Sequence, residues 1–480
     1  MILLLVPILP VVAALLSLIP TRPFLARTAT LTAAVFALVA AFAAAQQVSV
    51  SGAITPLPNW VGSDSLSILL LLLQAVLAVT ASFYSWGYIA RETHGDETRE
   101  RRYYFDLNLF IASLFLVPVL LQPALTWVAV ELTTLLSVFL VGFNRSAEGL
   151  EAAWKYAILT IMGATVAVLG ILLLLYGLHG VSGSVAETWD SLSRAAAQMP
   201  PSLLRIAFVL ILVGFGTKVG LFPLHTWLPD AHSQAPSPVC ALLSGVEVST
   251  VLYVILRLMP VFDAIPHFPV HAWLIAFGLL SVGAAAFLLL QVHDFKRMLA
   301  YSTVEHMGII VTAVGFGQAG SYAGLYQIIT HGLAKSLAFY AAGAVLLIYQ
   351  TRSISEVRGL IRTSPFSGAM LLAAALAIAG VPPFAVFLSE FSILRSGILS
   401  GDVWVVALLA FFIAIAFIGV MLQVGRMVFG EGGAPAARRR LPKSVVAAIS
   451  VSLVPVLVLG LYTPPLLHRL LTLASLAISR

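Results

Sequence analysis

Apolar runs of about 18 or more residues recur along the whole chain, and each is long enough to cross a hydrocarbon core of about 30 Å as a helix. This length and repetition constrain the fold more than any motif does. The composition agrees: of 480 residues, 60% are hydrophobic and 10% charged, where a soluble domain carries about 25% charged residues. Mean hydropathy is +1.02. The fold class is therefore an all-α polytopic membrane protein. No polar stretch is long enough to build a separate soluble domain. The net charge of +6 does not indicate nucleic acid, because the basic residues sit in short loops between apolar runs. The single cysteine, Cys240, excludes disulfides and cysteine-ligated iron–sulfur clusters within the chain.

The pattern predicts fourteen spans, near 1–19, 26–46, 66–90, 104–121, 123–143, 153–178, 203–222, 236–259, 270–290, 296–316, 322–349, 365–400, 403–429 and 444–463. The first twenty residues lack a basic n-region and a small-residue cleavage site, so they read as a spanning helix and not as a removed signal peptide. Loop charges fix the orientation. Arg22 and Arg27, Arg91 with Arg99, Arg101 and Arg102, Arg145, Lys296 with Arg297, Arg352 with Arg358 and Arg362, and Arg438 to Arg440 with Lys443 all fall in loops on one side; Arg194 is the clearest exception. That side is the inner one, which puts both termini outside. The expected location is a bacterial or archaeal cytoplasmic (inner) membrane. The stretch 182–199 reads as an outer surface helix or loop and 430–443 as a flexible inner loop.

Spans seven and twelve are interrupted, by GLFPLHTWLP and by AGVPPFAVF. Proline removes a backbone donor and breaks the helical ladder. The two breaks lie five spans apart and so approach the membrane from opposite faces. Two interrupted helices in matching positions of two inverted halves point to a transport site. The expected organisation is 1–103, an N-terminal three-helix segment; 104–259, a first half of spans four to eight; 270–429, a second, inverted half of spans nine to thirteen; and 444–480, a last span with a short outer tail. The symmetry is topological, with no residue-level repeat.

An ionisable group at the bilayer centre costs roughly 2.5–3.5 kcal/mol on insertion scales, so such groups persist where they are paired, hydrated or useful. This chain holds Glu131 in span five, Lys218 just before the first break, Glu247 in span eight, Glu305 and His306 in span ten, His331 and Lys335 one turn apart in span eleven, and Glu390 just after the second break. Buried structural ion pairs are one reading. Titratable groups spread over six helices favour another, a relay in which each group passes a proton to its neighbour. Lysine suits this because desolvation readily lowers its pKa, and histidine titrates near pH 6.5. Unwound backbone must be satisfied by protein or water, which would hydrate the surroundings of Lys218. His225 and Asp230, in or just past the first break, could connect it to the inner surface or simply cap the loop. Arg257, Arg395 and Arg426 read as snorkelling near span ends, Asp294, Lys296 and Arg297 as a solvated inner face, and Glu151 with Lys155 as a helix-surface pair. His267 and His271, four apart, are the nearest pattern to a metal site, and none is expected. No nucleotide-binding, haem or nucleophile motif stands in a fitting context.

The stretch KVGLFPLHTWLPDAHSQAPSPV resembles the signature of the proton-translocating, antiporter-like membrane subunits of respiratory complex I, multi-subunit cation/proton antiporters and group 4 hydrogenases. WVAVELTTLLSVFLVGFNRSAEGLEAAWKY and YSTVEHMGII look most like hydrogenase-4 component F and its relatives. The resemblance spans the fourth to thirteenth runs. It implies fourteen helices with two inverted five-helix repeats and discontinuous helices seven and twelve. It also implies an acid–lysine pair, Glu131 and Lys218, and a polar axis continued by His306, His331, Lys335 and a terminal Glu390. The acidic end resembles the complex I M-type subunit. There is one departure: Ser249 stands where that subunit carries a connecting lysine, with Glu247 two residues away, so the link between halves would use Glu247, His306 and water.

The resemblance implies a subunit that moves protons, or sodium ions, in a multi-subunit complex driven by redox chemistry elsewhere. Group 4 [NiFe]-hydrogenase or a formate hydrogenlyase-like assembly is the first expectation, followed by complex I and then a cation/proton antiporter. A scaffold that has lost transport is the non-transport alternative. No cofactor is expected in this chain. Iron–sulfur, nickel–iron or flavin groups would sit in partner subunits. The expected partners are other antiporter-like and small membrane subunits, a redox arm on the cytoplasmic side, and the lipid bilayer.

Overall fold

The computed structural model describes residues 2–20, 23–183, 185–431 and 440–478. Helices α1 (Ile2–Ser17) and α2 (Phe24–Ser51) lead into a short antiparallel hairpin, β1 (Ala53–Leu57) and β2 (Val61–Asp64). The chain continues through α3 (Ser65–Glu92), α4 (Glu97–Leu116), α5 (Pro123–Val141), α6 (Ala147–Ser182), the short α7 (Trp189–Ala195), α8 (Pro201–Val219) and α9 (Trp227–Gln234). Next come α10 (Ser237–Leu242), a π-helical turn (Leu243–Glu247), α11 (Val248–Arg257), α12 (Met259–Asp263), α13 (Val270–Leu289), α14 (Phe295–Gly315) and α15 (Gln318–Tyr349). The last elements are α16 (Leu360–Thr363), α17 (Pro365–Ile378), α18 (Ala385–Leu399), α19 (Val403–Phe429), α20 (Lys443–Leu461) and α21 (Pro465–Ile478). Most of the expected inner loop at 430–443 lies outside the described residues. The stretch 182–199 holds α7.

Among the described residues, twelve helical segments are long and apolar enough to cross a membrane, and Ile2–Ser17, Pro365–Ile378 and Pro465–Ile478 are shorter apolar helices. Helix starts are written in the sequence. Asp64, Asp96, Ser146 and Asp294 each accept a backbone N–H from the first turn of α3, α4, α6 and α14, which satisfies donors that the helix leaves orphaned. Helix α3 ends at Glu92, and after a turn α4 begins at Glu97.

The segment α10–α11, with its π turn, is buried throughout its spanning window, and α14 and α15 nearly so; α19 and α20 present mostly outward-facing surface. Glu247, Lys296, Glu305, His306, His331 and Lys335 therefore sit on the helices with the least access to lipid. Close helix contacts depend on small residues, as expected where lipid removes the hydrophobic drive to associate. A Cβ on Gly214 of α8 would stand 2.4 Å from the Ala167 nitrogen and 2.6 Å from the Gly163 oxygen of α6. Both obstacles are backbone and cannot rotate away. Gly214→Leu is expected to force α6 and α8 apart, at a cost of at least about 1–3 kcal/mol, visible as a lower melting temperature and a smaller monodisperse fraction in detergent. An unchanged melting curve would contradict this packing.

Two sequence expectations are corrected. Arg257 does not snorkel: it makes two hydrogen bonds to Asp64, at 2.5 and 2.6 Å, and a third to Ser67 at 2.7 Å. This pair ties α11 to the start of α3. Burial acts to raise the Asp64 pKa, but the adjacent guanidinium holds it below the usual carboxylate range. Lys296 is not on a solvated face either. It is buried and its ammonium donates to the Ala235 carbonyl.

Candidate functional site: a buried polar axis

Both helix breaks are built alike. Helix α8 ends at Gly220 (φ +85°) and α17 just before Gly380 (φ +64°), a left-handed region that favours glycine. In each, the next residue's N–H reaches back over the last turn: Leu221 to the Gly216 carbonyl at 2.9 Å and Val381 to the Leu376 carbonyl at 3.0 Å, the closing bond of a Schellman motif. Proline follows at Pro223 and at Pro382 with Pro383. The carbonyls released at the ends of the two helices find side chains. The Trp227 indole donates to Thr217 O at 2.8 Å, and the His306 imidazole donates to Ile378 O at 2.9 Å.

Lys218, in the last turn of α8, is 1% exposed. Its ammonium points into α5, where it donates to the Val130 carbonyl and to the hydroxyls of Thr134 and Thr133, the last at 3.2 Å. Glu131 approaches only to 4.0 Å, and its Oε1 has no hydrogen-bond partner among the described residues. The pair is thus looser than Arg257–Asp64, and the lysine charge is solvated chiefly by backbone and threonine dipoles. Thr133 also donates to Glu247 Oε1 at 3.3 Å, and Tyr156 of α6 donates to the same oxygen at 2.7 Å. One threonine hydroxyl therefore touches both Lys218 and Glu247.

Glu247 ends the π-helical turn, whose second residue is Ser244. The Ser244 carbonyl accepts from His331 Nε2 at 3.1 Å, and its hydroxyl lies 2.6 Å from that of Thr303. The turn thus holds the Glu247 carboxylate at one end and the His331 imidazole of α15 at the other. The His331 and His306 rings lie 5.0 Å apart. Both Nε2 atoms face carbonyls, which only accept, so each Nε2 carries the proton. Gln327 Nε2 donates to His306 Nδ1 at 3.1 Å, while His331 Nδ1 has no partner among the described residues. Gln327 also accepts from Ser389, which lies 2.8 Å from Thr330. Lys335, fully buried, donates to Leu299 O at 2.9 Å and to Ser302. Glu305 and Glu390 are buried, and Gly380 packs against the Glu390 carboxylate, where a Cβ would lie 2.3 Å from Oε2.

The remaining candidates lie at the edges. His225 is buried in the first break with its Nδ1 unpartnered among the described residues. Asp230 forms ion pairs with Lys155 at 3.3 Å and Arg297 at 2.8 Å, and Lys155 also meets Glu151 at 2.7 Å. Ser249 is buried with its hydroxyl unpartnered among the described residues. His271 pairs with Asp263 at 3.2 Å. Among the described residues no group of three metal-ligating side chains is present. Thr133, Thr134, Tyr156, Ser244, Ser302, Gln327 and Ser389 were not singled out from sequence, because uncharged polar residues are common in membrane helices and carry no signal until their partners are known.

Residues 123–417 match the family described as NADH:quinone oxidoreductase/Mrp antiporter, TM. Over 409 residues the chain is 37% identical to the hydrogenase-4 component F homolog of Methylacidiphilum infernorum, covering 84% of this chain and 85% of that one. A chain in the structure of the membrane-bound sulfane sulfur reductase, an archaeal respiratory membrane complex, superposes with a TM-score of 0.88 at 24% identity, over 99% of this chain and 97% of that one. A chain of respiratory complex I from Thermus thermophilus gives 0.78 at 25% identity, over 96% and 97%. Family match, relative and fold agree: this is a multi-pass, antiporter-like membrane subunit, and it belongs to the NADH:quinone oxidoreductase/Mrp antiporter membrane family.

Proposed function

We propose that this chain is the proton-translocating subunit of a redox-driven membrane complex, of the group 4 hydrogenase or formate hydrogenlyase-like kind. One observation carries the reading: Glu131 and Lys218, Glu247, His331, His306, Lys335 and Glu390 are nearly all buried in one bundle, with Thr133 between Lys218 and Glu247 and the π turn between Glu247 and His331. The relatives add a component F homolog of hydrogenase-4. Glu131 and Lys218 would form the first exchange pair, Glu247 the link, and the two histidines with Lys335 the second relay, ending at Glu390. His225, Asp230, Ser249 and Glu305 would support it. Sodium in place of protons, a complex I M-type role and an antiporter subunit are the neighbouring readings.

In this reading the chain crosses the inner membrane of a bacterium or archaeon fourteen times with both termini outside. The twelve long segments are joined by Ile2–Ser17 and by the broken pair α17–α18. Partner chains would be other membrane subunits and a cytoplasmic-side redox arm holding the metal or flavin groups. The test has two parts. Affinity purification of the tagged chain from native membranes should bring down a nickel–iron large subunit, and vesicles bearing that complex should take up protons when given electron donor and acceptor. Recovery of antiporter subunits alone would replace the hydrogenase reading with the third.

A further inference from the structure

At the inner ends of α1, α4, α5 and α6 two grooves lie side by side. The first, about 570 Å³, is lined by Leu18 and Pro20 after α1, by Arg101, Arg102 and Phe105 of α4, and by Phe139 of α5. The second, about 500 Å³, lies between α4, α5 and α6 and is walled by Phe139, Phe143, Leu150 and Trp154, with Arg145 at its rim. Arg102, Asp106 and Phe139 line both. Phe139 and Trp154 are 57% and 67% exposed, so the walls are apolar side chains facing outward and not a closed core.

The cations here are poorly matched. Arg145 is exposed, and its guanidinium makes no hydrogen bond or ion pair among the described residues. Arg102 is 58% exposed and meets Asp106 only at 3.9 Å. Arg99 is spent on Phe143 O, Asn144 and the Phe143 ring, and Arg101 on Ile19 O. Asp106 is the one carboxylate in the lining, against four arginines.

An anion with long apolar tails fits this surface. Arginine binds phosphate oxygens in a planar fork, and basic groups at the cytoplasmic headgroup level attract anionic lipid. We propose that the double groove binds one anionic phospholipid, its phosphate held at Arg102 and Arg145 and its acyl chains laid on either side of Phe139. Asp106 keeps Arg102 turned toward the groove. The bound lipid would fix the inner ends of α1 and α6 against α4. This proposal needs the membrane location and the inner-side orientation of these helix ends, and not the translocation reading.

Native mass spectrometry of the intact complex, stripped of lipid and titrated with phosphatidylglycerol or with phosphatidylcholine of the same chains, tests it. The wild type is expected to retain phosphatidylglycerol preferentially. The double change Arg102→Gln and Arg145→Gln is expected to weaken that retention roughly tenfold or more, while Arg102→Lys with Arg145→Lys keeps most of it and Arg362→Gln, on another exposed inner arginine, changes nothing. Equal retention of the two lipids by the wild type would overturn the proposal without any variant. So would undiminished phosphatidylglycerol binding in the glutamine pair with loss of a neighbouring membrane subunit from the complex, which would assign the groove to protein.

Discussion

Lys218→Met is expected to reduce proton uptake by vesicles carrying the intact complex to about a tenth or less, in line with the hundredfold or larger effects of positioned proton-transfer groups, while leaving the complex assembled. Methionine keeps an unbranched, flexible stem that fills the same space, but it can neither hold a proton nor donate to Val130, Thr133 and Thr134. The competing view is that Lys218 and Glu131 are a structural ion pair. Breaking a tight buried pair costs about 3–5 kcal/mol, so that view expects a destabilised protein whose folded fraction still pumps. The geometry speaks for the exchange pair. The structural pair Arg257–Asp64 is bidentate at 2.5 and 2.6 Å, whereas Lys218 and Glu131 stand at 4.0 Å with a carboxylate oxygen that has no hydrogen-bond partner among the described residues. Unchanged uptake, measured by quenching of a pH-sensitive dye with co-purifying subunits as the assembly control, would leave only the scaffold reading.

Glu247→Gln should also cut coupled uptake, by about tenfold, for a different reason. Glutamine keeps an oxygen to accept from Tyr156 and Thr133, so packing and the π turn survive, but an amide does not take up and release a proton. If Glu247 joins the halves, the variant stops transfer between Lys218 and His331 while each half still titrates. The signature is therefore a loss of uptake with a normal melting temperature. A variant that pumps normally would remove Glu247 from the route and return attention to Ser249.

The polytopic helical fold, both interruptions and the charges from Glu131 to Glu390 were readable because each leaves a local mark: an apolar run, a proline after a glycine, an ionisable letter where hydrocarbon is expected. What could not be read depends on partners far along the chain. Arg257 looks like a snorkelling residue until Asp64, 193 residues earlier, is seen beside it. Lys296 follows a helix cap and reads as solvated, yet α9 and α10 close over it. The hydroxyls that solvate Lys218 and the amide that bridges His306 to Ser389 are ordinary helix residues by sequence. The π turn leaves no mark, since its residues, LSGVE, would sit equally well in an α-helix.

That turn bears on how related chains are compared. A π turn closes on the fifth residue where an α turn closes on the fourth, so it admits one surplus residue, and everything after it is rotated by about 100° relative to an uninterrupted α-helix. Letter-by-letter matching across 243–247 therefore loses phase. Gain or loss of a single residue here would hand the junction from one face of the helix to another, a cheap evolutionary dial for rewiring which half speaks to which.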